Sequence, residues 1–152
     1  MHVEVYFSQR WSWDTLPTDL LREMRDLLLG TEFKLNKGSA TYLREKLLPA
    51  LRKQGWSSEM QFCPDSRMTI TSIRENCGFC LQTGNMSRFY ADLIKLEYLY
   101  LNGVIVGGIY VLPTKNAAKK MGSNIANFER MCSELQIFHQ VIRLPLVVFG
   151  FE

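Results

Sequence analysis

The sequence predicts an α/β (α+β) protein, a mixed β-sheet flanked by helices, on three observations. Two early segments carry apolar residues at helical spacing. The middle of the chain then changes to short apolar or alternating runs separated by turn composition. From there to the C-terminus, helix-like and strand-like segments alternate, the order that lays helices against a sheet. The 152 residues are 47% hydrophobic, enough for one core and too few for two. One domain spanning residues 1–152 is expected.

Taken in order, His2 to Phe7 alternates well enough for a short strand, and Trp11 and Trp13 are expected in a connecting turn. Leu16 to Leu29 reads as a helix, with Pro17 in its first turn and Gly30 just past its end; a proline there loses no intrahelical bond. Leu20, Leu21, Met24, Leu27 and Leu28 form its apolar stripe. A loop from Lys34 to Gly38 leads to a second helix, about Ser39 to Gln54, closed by Gly55. Pro49 inside it predicts a kink or break near Leu48.

After Trp56 the period changes. Met60 to Phe62, Met68 to Ile73 and Cys77 to Thr83 read as strands, divided by Cys63-Pro64-Asp65-Ser66 and Arg74-Glu75-Asn76. Gly84-Asn85-Met86-Ser87 interrupts, with Asn85 or Ser87 placed to cap a helix that ends at Asn102-Gly103. Val104 to Leu112 is continuously apolar, the composition of a central strand, and Pro113 stops it. A polar loop, a helix from about Asn124 to Ile137 and a strand from Leu144 to Phe151 complete the chain.

The net charge of +3 permits nucleic-acid binding without requiring it. No run reaches the roughly 18 apolar residues of a membrane span. The first residues lack the basic region and apolar run of a signal peptide, so a cytoplasmic location without membrane contact is expected. Cys77 and Cys80 form a C-x-x-C. No second pair completes a zinc set, and on a strand two residues three apart face opposite ways. Buried thiols are expected there.

Two segments carry polar chemistry. On the helix after Gly84, Phe89, Tyr90, Leu93, Ile94, Leu96 and Tyr100 cover most of the circumference. Arg88, Asp92, Lys95 and Asn102 form the remaining stripe, either a solvated face of i,i+3 and i,i+4 pairs or a polar edge facing a ligand beside Gln82. The segment from Pro113 to Asn124 carries Lys115, Lys119 and Lys120 with small, amide and hydroxyl side chains. That composition suits phosphate and base-edge contacts, and a solvated loop would share it. The only histidines, His2 and His139, belong to no nucleophile motif, and no phosphate-binding glycine loop is present.

Three stretches resemble the BglII-like restriction endonucleases of the PD-(D/E)XK superfamily. They are Phe33 to Ser39 with the helix ending Leu51-Arg52-Lys53-Gln54-Gly55-Trp56, then Leu81 to Leu93, then Gly107 to Lys115. The resemblance runs from about Leu20 to Phe151 and implies a restriction-endonuclease-like sheet flanked by helices. It also implies double-stranded DNA as partner and pairing as a homodimer or with a related subunit. In that family an aspartate at one strand end and an E-x-E, E-x-K or E-x-Q on the next hold Mg²⁺. Carried across, E-x-Q falls on Cys80-Leu81-Gln82, and the aspartate falls on Thr71. Only Gln82 keeps its type. A thiol and a hydroxyl do not replace two anionic oxygen ligands.

The resemblance with this departure implies a catalytically degenerate protein, without a metal cofactor, that binds DNA or a protein partner in a restriction or antiphage system. The residues expected on DNA are Asn85, Ser87, Arg88, Lys115, Asn116, Lys119, Lys120 and Asn124. Two alternatives stand beside it. One is an active Mg²⁺-dependent endodeoxyribonuclease with relocated carboxylates, for which Glu59, Asp65, Glu75 and Asp92 are candidates. The other is an interaction subunit without DNA affinity.

Overall fold

The structure, a computed structural model, describes residues 1–8 and 12–152. Trp11 of the expected turn lies outside them, and Trp13 falls in a short helix, α1 (Ser12–Thr15), where a turn was expected. Strand β1 (Val3–Phe7) precedes it. The helix α2 (Thr18–Gly30) begins after Pro17, whose carbonyl accepts from the Leu21 N–H, so the proline stands at the cap and Gly30 inside the last turn. The next helix, α3 (Ser39–Lys53), runs through Pro49 without the expected break. Pro49 is exposed, so water can take the carbonyl that its missing N–H leaves unpaired. Leu43, Leu47 and Leu51, all buried, hold the helix down on both sides of it.

Of the three expected middle strands, the second divides. Strands β2 (Met60–Gln61) and β3 (Thr69–Ile70) pair as a small separate ribbon, while β4 (Ser72–Arg74) joins the main sheet beside β5 (Cys77–Leu81). Thr71 is the joint between them. Arg74 and Cys77 are partnered across a two-residue turn, and Glu75 and Asn76 both have positive φ, 50° and 58°, as a tight hairpin requires. Arg74 ties this edge to α2 through Glu23, at 2.6 Å, and that hydrogen bond raises its pKa above the ordinary guanidinium value.

The helix α4 (Arg88–Leu101) crosses from β5 to the parallel β6 (Gly107–Pro113). Val104 to Val106, expected in this strand, precede it, and Val104 and Val106 are exposed. Two helices, α5 (Lys115–Met121) and α6 (Phe128–Ile137), then lead to β7 (Leu146–Phe151), parallel to β6. The expected polar loop is therefore largely helical. Thr114 Oγ1 accepts from the Ala117 N–H, and Ala117, Ala118 and Met121 are buried beneath the lysines. The following helix starts at Phe128, four residues later than expected, because Asn127 Oδ1 caps it through the Arg130 N–H.

The main sheet has the order β1-β7-β6-β5-β4, with β6 central as its composition predicts. Alternation along the strands divides the core in two. Cys77, Phe79, Leu81, Ile109, Val111, Val147 and Phe149 pack against α2 and α3. Cys80, Tyr110, Leu112, Leu146 and Val148 pack against α4 and α6. Gly78 lets α4 come this close, since a Cβ there would stand 2.7 Å from Leu96 Cδ2. Glu97, buried on α4, accepts the N–H groups of Arg143 and Leu144 and fixes the entry into β7. Ile94, expected in the core, is 65% exposed.

Candidate nucleic-acid interface

A cleft of about 660 Å³ opens beyond the carboxyl end of β5, between α3, α4 and the β2-β3 ribbon. Arg44, Glu59, Thr71, Gln82, Arg88, Asp92 and Lys95 line it. The parallel pairing of β5 with β6 sets Cys80 beside Tyr110, and α4 lies over both. Asp92 is the hub. Its Oδ2 accepts from Gln82 Nε2 and from the Tyr110 hydroxyl, each at 2.8 Å, and its Oδ1 accepts from Lys95 Nζ at 3.1 Å. Gln82 is held at both ends, because its Oε1 accepts from the Gly84 N–H. Lys95 also donates to the Thr69 carbonyl, and Arg44 Nη1 donates to the Leu81 carbonyl at 2.9 Å. Of the stripe on α4, Arg88, Asp92 and Lys95 face this cleft, whereas Asn102 bonds to the Tyr98 carbonyl at the far end of the helix.

Of the two positions expected from the resemblance to stand where carboxylates would be, Thr71 lines this cleft and Cys80 is buried behind it, and both are engaged in the fold. Thr71 Oγ1 accepts from the Leu81 N–H at 3.3 Å. Cys80 is 2% exposed within the apolar layer under α4. Burial raises its thiol pKa far above the ordinary range, and the Asp92 charge adds to this. Of the relocated candidates, Asp65 is exposed on its turn and Glu75 pairs with Arg74 in the hairpin, so neither lines the cleft. Glu59 does, and it accepts from the Thr69 hydroxyl. Among the described residues, no three His, Cys, Asp or Glu side chains come together. A neutral hydroxyl, a protonated thiol and two carboxylates already serving other donors do not fit Mg²⁺, which takes near-octahedral hard oxygen ligands.

Cys77 and Cys80 belong to opposite layers of the core, so their sulfurs cannot share one ion. Burial raises the pKa of Cys77, Cys80 and Tyr110 alike. The folded protein therefore keeps three protons that the unfolded chain releases above about pH 9 to 10. Because the folded values are the raised ones, this contribution is intact below that range and declines as pH rises through it. Stability should fall above pH 9 by roughly 1 kcal/mol per pH unit for each group. Urea unfolding across pH 8 to 11 measures it, and Cys77→Ala with Cys80→Ala should flatten the decline.

The residues expected on DNA divide among three places. Arg88 lines the cleft. Asn85, Ser87 and Asn124 line a neighbouring recess with Tyr90 and Arg130. Its walls are joined by main-chain bonds, Met86 N–H to the Asn124 carbonyl and Ala126 N–H to the Gly84 carbonyl, around a bridge of Asn85 with Ile125. Ser87 occupies the cap position of α4 without capping it, because its backbone is already helical (φ -68°, ψ -20°) where a capping residue is extended. Its N–H and hydroxyl both donate to Asn85 Oδ1. Lys115, Asn116, Lys119 and Lys120 are exposed on α5. Sequence reasoning missed Arg44 and Arg130. Each sits on the polar face of an amphipathic helix, where nothing local distinguishes it from a solvated charge.

A mixed sheet with a parallel centre, helices on both faces and a polar cleft at the strand ends defines a protein of the restriction-endonuclease-like class. The chain belongs to the restriction endonuclease BglII/BglIII family, whose sequence profile matches residues 13–151. Two solved structures share the fold. A crystal structure of restriction endonuclease BglII complexed with a DNA 16-mer aligns with a TM-score of 0.90 at 10% identity, covering 100% of this chain and 78% of that one. A crystal structure of free BglII aligns with a TM-score of 0.71 at 14% identity, covering 100% and 80%. No curated protein matches the sequence. Among the described residues, no helix is long and apolar enough to cross a membrane.

Proposed function

We propose that this protein is a DNA-binding member of the family whose cleavage site is degenerate, acting as a homodimer or beside a related subunit in a restriction or antiphage system. The observation that carries the reading is the state of the two metal-ligand positions. Thr71 and Cys80 are neutral, and both are engaged in the fold beside a cleft that keeps its Gln82. DNA binding is supported by the family and by the exposed lysines of α5. In this reading Asn85, Ser87 and Asn124 approach base edges, while Arg88, Lys115, Asn116, Lys119 and Lys120 meet the backbone.

The test is a binding and cleavage assay on mixed duplexes with and without Mg²⁺ or Mn²⁺. Binding should weaken steeply with salt, and the duplex should remain intact. Cleavage by the parent that Glu59→Gln abolishes without loss of folding would establish an enzyme with relocated carboxylates. Absence of binding at low salt, with a stable complex to another protein, would establish an interaction subunit. Light scattering of the purified chain reads the dimer directly.

A further inference from the structure

We propose that the cleft beyond β5 is a metal-independent phosphodiester site, in which Arg44, Arg88 and Lys95 supply the positive charge that a bound cation would otherwise bring. The inference rests on the DNA-binding reading and names the chemistry of one of its contacts. Three cations and two carboxylates line the cleft, a net charge of +1, which matches the single negative charge of one backbone phosphate. The carboxylates are occupied. Asp92 accepts from three donors, and Glu59 accepts from the Thr69 hydroxyl. The ion pair with Lys95 offsets the Asp92 charge locally, and the charge of exposed Glu59 is already counted in the sum.

The cations are placed differently from ordinary surface charges. Lys95 is largely buried, with its side chain 18% exposed, and two of its three N–H groups are fixed by Asp92 and the Thr69 carbonyl. The third remains for a ligand. Arg44 reaches over from α3 and is anchored by one bond to the Leu81 carbonyl, which leaves its other donors in the planar fork that suits phosphate oxygens. Among the described residues no ion pair holds Arg44 or Arg88. The first turn of α4 opens on the same cleft through Arg88, and the Ser87 side chain does not cap it. Where the family pattern puts ligands for a cation, this chain has neutral Thr71 and Cys80 with covalently attached cations around them.

The experiment uses the full chain and a labelled duplex at constant ionic strength, in EDTA and in Mg²⁺. The parent should bind equally in both. Arg44→Gln with Arg88→Gln should weaken binding at least about tenfold and reduce the slope of log affinity against log salt by about 1, the loss of one phosphate contact. The charge-retaining Arg44→Lys should lose less, and circular dichroism checks that each variant folds. Unchanged affinity in the double variant, with the parent still binding DNA, overturns this site and leaves the DNA-binding reading standing. Binding that needs Mg²⁺ also overturns it. If the parent binds no duplex, the DNA reading falls, and a titration with inorganic phosphate decides the site. Shifts of the Arg44 and Arg88 side-chain NMR signals that vanish in the double variant support it, and unmoved signals overturn it.

Discussion

Replacing Asp92 with alanine is expected to destabilise the protein by about 3 to 5 kcal/mol, the range for removing one partner of a buried pair. In a chain of this length that corresponds to a fall of about 10 °C in Tm. The size follows from what would be left behind. Lys95, largely buried, would lose its counter-ion, and the fully buried Tyr110 hydroxyl and the Gln82 amide would lose their acceptor. An unpaired buried donor costs more than a made bond contributes. Asp92→Asn should recover about half, because its carbonyl can still accept from Tyr110 or Gln82. Adding Lys95→Met to Asp92→Ala should relieve part of the loss, since no orphan charge then remains. Thermal unfolding of the four proteins measures this, and a fall of only a degree or two in Asp92→Ala would show that the hub does not hold the cleft.

Changing Lys115, Lys119 and Lys120 together to alanine is expected to leave Tm nearly unchanged and to weaken duplex binding by about 10- to 100-fold at moderate salt. The three are exposed on α5, and the helix is held by the Thr114 cap and by Ala117, Ala118 and Met121 beneath. Removing them therefore takes charge away without disturbing packing. If each lysine neutralises one phosphate, the salt slope falls by about 2.7. Affinity measured at several salt concentrations separates this from a folding defect. An unchanged slope would place α5 away from the DNA.

Where burial and local chemistry agreed, the sequence was a reliable guide. The apolar run before Pro113 is the central strand, Glu75 and Asn76 make the tight turn, and Cys77 and Cys80 point to opposite layers. The misreadings have separate causes. The lysines hid the helix α5, because Ala117, Ala118 and Met121 are too few to register as an apolar stripe in a polar segment. Pro49 argued for a break that tertiary packing on Leu43, Leu47 and Leu51 overrides. Strand 68–73 read as one piece because composition does not reveal that Thr71 turns the chain between two sheets. At the cleft, the stripe on α4 was visible as a pattern. Its meeting with Gln82, Tyr110 and Arg44 depends on contacts between residues far apart in the chain, which no window on the sequence contains.

The two walls of the recess holding Asn85 and Asn124 are tied by main-chain bonds, Met86 to Asn124 and Ala126 to Gly84, and by Glu134, which accepts from both Tyr90 and Arg130. Part of their shape is thus encoded in the backbone, separately from the outward side chain of Ser87. Asn85 holds the turn through its Oδ1, and Asn124 stands at φ 56°, where asparagine is favoured. Ser87, by contrast, is exposed and only receives these constraints, so if the recess meets DNA it is at Ser87 that related chains can diverge while sharing one scaffold. A library varied at Ser87 would sample new contacts at little expense in folding, while positions 85 and 124 would each give up an asparagine that shapes the backbone.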